Sequence, residues 1–173
     1  MANNFLAYKK YEIGKSLKEE NSEGVVEKIL REAEENKCKI LIPEDCLVAE
    51  SFEGAAILRD IKSIKKNEII LDIGPKTIKI IEKIIDNSNT IMWNGPAGYF
   101  ESKNFALGTN AIAQKISENT KNRSLTSVLG GGDTVSAINK SGLDLYFTHL
   151  STAGGAFLEY LEGKDLPGLS VLK

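Results

Sequence analysis

Glycine crowds the run Leu129-Gly130-Gly131-Gly132-Asp133-Thr134, which joins an apolar, β-rich segment (residues 124–129) directly to a helix-like one (residues 135–140). Glycine lets a backbone approach a ligand closely, and the free N–H groups of a first helical turn point at an anion, so such a junction suits phosphate. Asp133 would repel a bare phosphate, but its carboxylate belongs there if Mg2+ stands between the two. The same residues also read as an ordinary helix N-cap, because Asp or Thr after a glycine turn satisfies first-turn amides. The flanking segments bear on that choice.

Upstream, Thr90-Ile91-Met92-Trp93 reads as a short buried strand. It runs into Asn94-Gly95-Pro96-Ala97-Gly98-Tyr99-Phe100-Glu101, after which Phe105, Ile112 and Ile116 mark a helix face. Downstream, residues 145–150 are strand-like, Ser151-Thr152-Ala153-Gly154-Gly155-Ala156 is a loop, and Phe157, Leu158 and Leu161 begin a helix. Three Gly-rich loops, each after a strand and before a helix, belong on one rim of a parallel sheet, where α/β proteins bind ligands. A nucleotide site is the leading expectation.

The remaining elements must hold that rim in place. Residues 3–10 look like a helix, and Ser22 opens a stronger one, ending near Asn36, in which Val25, Val26, Ile29, Leu30 and Ala33 form an apolar stripe. Residues 39–43 and 45–48 read as one strand continuing past a kink, residues 69–71 as another, and Ile78, Ile81 and Ile85 as a helix face begun by Pro75. Between them, residues 62–68 look like a solvated, charged turn between short strands. No internal repeat or low-complexity tract is visible.

Composition narrows the classes. With 173 residues, 42% hydrophobic and 27% charged, the chain can build one core burying roughly 70% of its unfolded surface. A net charge of −2 offers no basic field for nucleic acid or for an anionic membrane. The apolar runs are too short for a transmembrane helix, and residues 1–14 do not form a signal peptide, so the cytoplasm is the expected location. Cys38 and Cys46 lack companions at metal-ligand spacing and read as plain reduced thiols. Two other motifs fail. Gly14-Lys15-Ser16 lacks the Gly and the leading strand of a phosphate-binding P-loop, and Val135 stands where a dinucleotide fingerprint needs its last glycine. His149, the only histidine, reads as structural, and Trp93 as core.

The strings Leu71-Asp72-Ile73-Gly74-Pro75-Lys76-Thr77, Trp93-Asn94-Gly95-Pro96-Ala97-Gly98-Tyr99-Phe100-Glu101, Gly130-Gly131-Gly132-Asp133-Thr134 and Ser151-Thr152-Ala153-Gly154-Gly155-Ala156-Phe157-Leu158-Glu159 closely resemble, in order and spacing, the phosphoglycerate kinase family. The resemblance covers residues 1–173 as a single nucleotide-binding domain, similar to the C-terminal domain of that two-domain enzyme. It implies an α/β fold: a three-layer, Rossmann-like parallel sheet with helices on both faces, incomplete at its N-terminal side. It also implies reversible phosphoryl transfer between 1,3-bisphosphoglycerate and ADP, giving 3-phosphoglycerate and ATP, as in glycolysis. Mg2+ with ATP or ADP is the implied cofactor set, and the phosphoglycerate would bind only with the N-terminal domain, which the resemblance does not include.

Matched motif by motif, the family likeness gives Asp133 the nucleotide-bound Mg2+, and gives Gly130, Gly131, Gly132 and Thr134 the phosphates. Glu101 would take the ribose hydroxyls, Asn94 and Pro96 would sit against the nucleoside, and Leu17, Leu71 and Tyr99 would wall the adenine. Gly154 and Gly155 would face the group in flight. Two departures accompany the likeness. Ala153 replaces a family glycine, which would cost about 1 kcal/mol if that position needs a positive φ, and a family strand, loop and lysine that precede the residue matching Met1 are not in the sequence. An exposed sheet edge is therefore expected, and a non-catalytic remnant or nucleotide-binding module stays open beside the kinase reading.

Overall fold

The computed structural model describes residues 1–123, 125–143 and 145–171. Near the start, α1 (Ala2–Tyr8) and α2 (Glu23–Glu35) form where periodicity places them, with Ser22 and Asn36 as the caps of α2 and Val26 buried on its apolar stripe. The strand expected over residues 39–48 is only β1 (Asp45–Ala49). Residues 39–43 are irregular: Pro43 has no N–H to give a ladder, and the Glu44 amide goes instead to the Thr77 hydroxyl at 3.0 Å.

β1 pairs antiparallel with β2 (Ile57–Asp60) on one side and with β3 (Ile69–Ile73) on the other, a sheet that the sequence pattern does not announce. Residues 62–68 do join two short strands, β2 and β3, as expected, but the segment is not solvated throughout. Glu68 is 2% exposed, and its carboxylate takes the Arg59 guanidinium at 2.8 Å and the Lys65 amide at 2.9 Å. The Arg59 bond holds the Glu68 carboxyl below its ordinary range. Ser16, of the rejected P-loop string, is buried as a linker, its hydroxyl donating to Ile13 and accepting from the Ile70 amide.

Next comes α3 (Pro75–Asp86). Its first-turn amides at Lys76 and Thr77 donate to the Asp45 carboxylate at 2.9 and 2.8 Å, so β1 caps the helix that follows β3. The second sheet is parallel, in the order β4 (Thr90–Asn94), β5 (Thr126–Gly130), β6 (His149–Ser151), with α4 (Leu107–Arg123) and α5 (Gly132–Ser141) as the crossovers. Of the strand expected over residues 124–129, Ser124 lies outside the described residues. β6 is half the expected length for a physical reason: the Tyr146 and Thr148 amides are taken by the Ser117 and Ser127 hydroxyls at 2.8 and 3.0 Å, which leaves no ladder to form there.

Helices flank this sheet. Ile91 and Trp93 pack with Ile85 of α3 and Ile112 and Ile116 of α4, whereas Thr90 and Met92, which alternate with them, are exposed, so β4 is covered on one face and is not the fully buried strand expected. On the opposite side, the ring of Phe157 from α6 (Gly155–Leu161) lies 2.9 Å from where a Cβ on Gly130 would stand. Trp93 is half-buried in the core, and His149 stands at a strand end as expected, exposed at the start of β6. A short α7 (Pro167–Ser170) follows. Among the described residues no helix is long and apolar enough to cross a membrane.

Candidate functional site

Parallel register brings the three Gly-rich loops to one rim, because Asn94, Gly130 and Ser151 stand side by side at the ends of β4, β5 and β6. Three ties then gather them. The Thr134 hydroxyl on the first turn of α5 accepts the Gly95 amide at 2.8 Å, the Gly131 amide donates to the Ala153 carbonyl at 3.2 Å, and a Cβ on Gly154 would touch the Gly131 Cα at 3.3 Å. Gly131 is the pivot: its φ is 96°, and a Cβ there would meet Asn94 Oδ1 at 2.6 Å. The strain anticipated at Ala153 does not arise, because among the described residues the non-glycine ones with positive φ are Lys10, Asn21 and Lys37.

The first turn of α5 presents the amides of Gly132, Asp133 and Thr134, and no side chain caps them at Gly131. Gly132 faces open space, and Asp133 is exposed beside it, while Thr134 is 0% exposed. Thr134 is therefore a buried tie between two loops as well as a member of the glycine motif. Gly154 and Gly155 begin α6, also without a side-chain cap, and Gly155 faces open space.

A cavity of about 510 Å3 adjoins this rim, and residues 96–99 belong to both. It collects Leu17, Leu71, Pro96 and Tyr99, four residues that the family likeness assigns to one pocket from widely separated segments. Tyr99 is placed by its amide, which donates to the Leu71 carbonyl at 2.7 Å. Leu17 is 85% exposed and forms the cavity's outer lip. Asn94 does not line the cavity but stands over Gly131, and Glu101 lies exposed two residues past Tyr99.

Sequence reasoning missed Phe52. It lies in the β1–β2 connection, lines the cavity and meets the Tyr99 ring edge-on at 5.2 Å between centroids. A lone aromatic in the otherwise polar stretch Glu50-Ser51-Phe52-Glu53-Gly54 is the only signal for it. Cys46 also reaches the cavity wall, and burial pushes its thiol up to about 12, so it stays protonated and unreactive. Cys38 is exposed and free.

Asp72 lies beneath the loop of residues 95–101. It is 2% exposed, accepts the Gly108 amide at 2.8 Å and the Ile73 amide at 2.8 Å, and burial pushes its carboxyl up to about 6 against those bonds. Lys140, near the end of α5, lies over the Phe100 ring at 5.3 Å and ties the far end of the loop to that helix.

The chain has relatives of known family. The family model for phosphoglycerate kinase matches residues 1–164. Among curated relatives, the phosphoglycerate kinase of Wolbachia sp. subsp. Brugia malayi (strain TRS) is 45% identical over all of this chain and 44% of its own length, and that of Agrobacterium fabrum is 45% identical over 99% of this chain and 44% of its own. The solved structure of phosphoglycerate kinase from Coxiella burnetii superposes with a TM-score of 0.90 at 38% identity, covering 99% of this chain and 44% of that one. That of the Pyrococcus horikoshii OT3 enzyme gives 0.73 at 31% identity, covering 99% and 42%. This chain thus spans less than half the length of the relatives it matches. In sequence and in fold, the chain belongs to the phosphoglycerate kinase family.

Proposed function

We propose that this chain is the C-terminal, nucleotide-binding part of a phosphoglycerate kinase, and that it holds Mg-ADP or Mg-ATP while a phosphoryl group passes between 1,3-bisphosphoglycerate and ADP. The observation that carries this reading is the junction of two features: an apolar cavity walled by Leu17, Leu71, Pro96 and Tyr99, and uncapped helix amides at residues 132–134, joined by one loop. An adenine fits the first and an oligophosphate the second.

The residues also fit a metal that arrives with the nucleotide. Among the described residues no three His, Cys, Asp or Glu side chains stand close enough to hold a metal, whereas Asp133 offers one exposed carboxylate beside the phosphate rim. Bound there, Mg2+ would neutralise phosphate charge. The chain's own part is positioning. Gly131 and Gly132 let the backbone come close, the α5 amides take phosphate oxygens, and Glu101 accepts from the ribose hydroxyls. Gly154 and Gly155 turn the start of α6 toward the group in transfer. In the ATP-forming direction, a β-phosphate oxygen of ADP forms the new P–O bond as the bond to the acyl oxygen breaks. The carboxylate of 3-phosphoglycerate leaves, so no protein nucleophile or proton donor is required. The reading places the protein in the cytoplasm and in glycolysis.

Calorimetry tests the assignment. Mg2+ should tighten ADP binding about tenfold or more, and Asp133→Ala should remove most of that gain while leaving adenosine binding within about twofold of the parent. Equal metal dependence in both proteins would refute the role of Asp133.

A further inference from the structure

Asp72 lines the cavity and also holds other residues of its wall in place. Its carboxylate sits where β3, the first turn of α4 and the loop of residues 95–101 meet. Built onto Gly98, a Cβ would stand 2.3 Å from Asp72 Oδ1, and built onto Gly108, 2.5 Å. Both backbones therefore rest directly on this one side chain. From Gly108 the connection continues to Thr109, 1% exposed, whose hydroxyl accepts the Ala97 amide at 3.0 Å and the Gly98 amide at 3.3 Å. Residues 97 and 98 are thus held between the Asp72 carboxylate and the Thr109 hydroxyl. One residue further on, Tyr99 enters the cavity, fixed by the neighbour of Asp72, Leu71.

We propose that Asp72 is a positioning residue for the nucleoside: by fixing the start of α4 and the path of residues 97–99 together, it sets where Pro96 and Tyr99 stand as cavity walls. The inference rests on the nucleotide reading of that cavity. A carboxylate suits the place because both oxygens accept, one from Gly108 and one from Ile73. An amide of the same shape would turn an N–H2 group toward one of those donors, and either α4 or the loop would have to move. Asp45 is the natural control. It is also a buried strand carboxylate capping the next helix, through Lys76 and Thr77; it does not itself line the cavity or touch the loop, and Thr77, the lining residue it holds, is not among the walls assigned to the nucleoside.

The experiment compares Asp72→Asn and Asp45→Asn with the parent chain at a temperature where circular dichroism shows all three folded. Binding of ADP, adenosine and pyrophosphate is measured, each with Mg2+. If Asp72 positions the nucleoside walls, Asp72→Asn weakens ADP and adenosine about tenfold and leaves pyrophosphate within about twofold, while Asp45→Asn leaves all three within about twofold. A purely structural role would weaken all three ligands alike, and that outcome, or unchanged adenosine binding, overturns the inference. Should Asp72→Asn fail to fold, Gly98→Ala takes its place. Its Cβ would press on Asp72 Oδ1 and part the loop from the carboxylate, so it must show the same loss confined to nucleoside ligands, and an unselective effect or none overturns the inference. A parent chain that binds pyrophosphate but no adenosine at all would instead sink the nucleotide reading of the cavity, and the inference with it.

Discussion

Two buried side chains carry most of what the site needs from single residues, and each can be tested by itself. Thr134 is fully buried, and its hydroxyl is the acceptor for the Gly95 amide. Thr134→Val keeps the shape and removes the acceptor of a part-buried N–H, so it should cost about 1 kcal/mol in urea unfolding, and Thr134→Ser should recover most of that. Asp72 gives a pH signature. Its folded pKa, about 6, lies above the ordinary 3.8, so the folded state binds the proton more tightly, and the contribution of this residue to stability falls as pH rises from about 4 to 6. Between pH 4 and 7 the stability of the parent relative to Asp72→Asn should therefore drop by about 2 kcal/mol. A flat difference would mean that the α4 amides offset the burial completely. The glycine motif marks Thr134 as a candidate site residue but not as a buried tie, because its partner, Gly95, is 39 residues away.

At the scale of elements, periodicity finds nearly every helix and the three strand-to-helix junctions, since helix faces and glycine breaks are local signals. What it misses depends on distant partners. Nothing in residues 45–60 announces that β1 is the centre of an antiparallel sheet, and nothing in residues 145–148 shows that Ser117 and Ser127 will take their amides and shorten β6. Phe52 is illegible for the same reason, since its meaning comes from Tyr99 on another element. β4 shows how one strand divides its two faces. Ile116 of α4, 1% exposed, packs in the cluster that Trp93 joins, whereas Met92 is 51% exposed on the other face. Ile116→Ala should thus cost about 2–5 kcal/mol of unfolding free energy, and Met92→Ala less than about 0.5. Comparable losses from both would show that the Met92 face is covered in solution.

For the whole molecule, the relevant facts are that the chain spans 44% of its relatives' length and that β4, an edge strand whose only pairing among the described residues is with β5, exposes Thr90 and Met92. An edge strand with an uncovered face is a place where another strand can add through main-chain bonds. The kinase reaction, moreover, needs the second substrate brought to the phosphate rim at high effective concentration. On the proposed reading, this chain alone should bind Mg-ADP yet show no kinase turnover in a coupled assay. Co-expression with the unmatched remainder of the Wolbachia relative should then yield a soluble complex with activity. In that complex Glu101→Ala should chiefly raise KM for nucleotide, because a ribose contact persists through the reaction. Asp133→Ala should chiefly lower kcat, because charge at the phosphates shifts in the transition state. Turnover by the purified chain alone would show that the unmatched half is dispensable. A stable complex that binds both substrates and stays inactive would favour a nucleotide-binding remnant over a working half of a kinase.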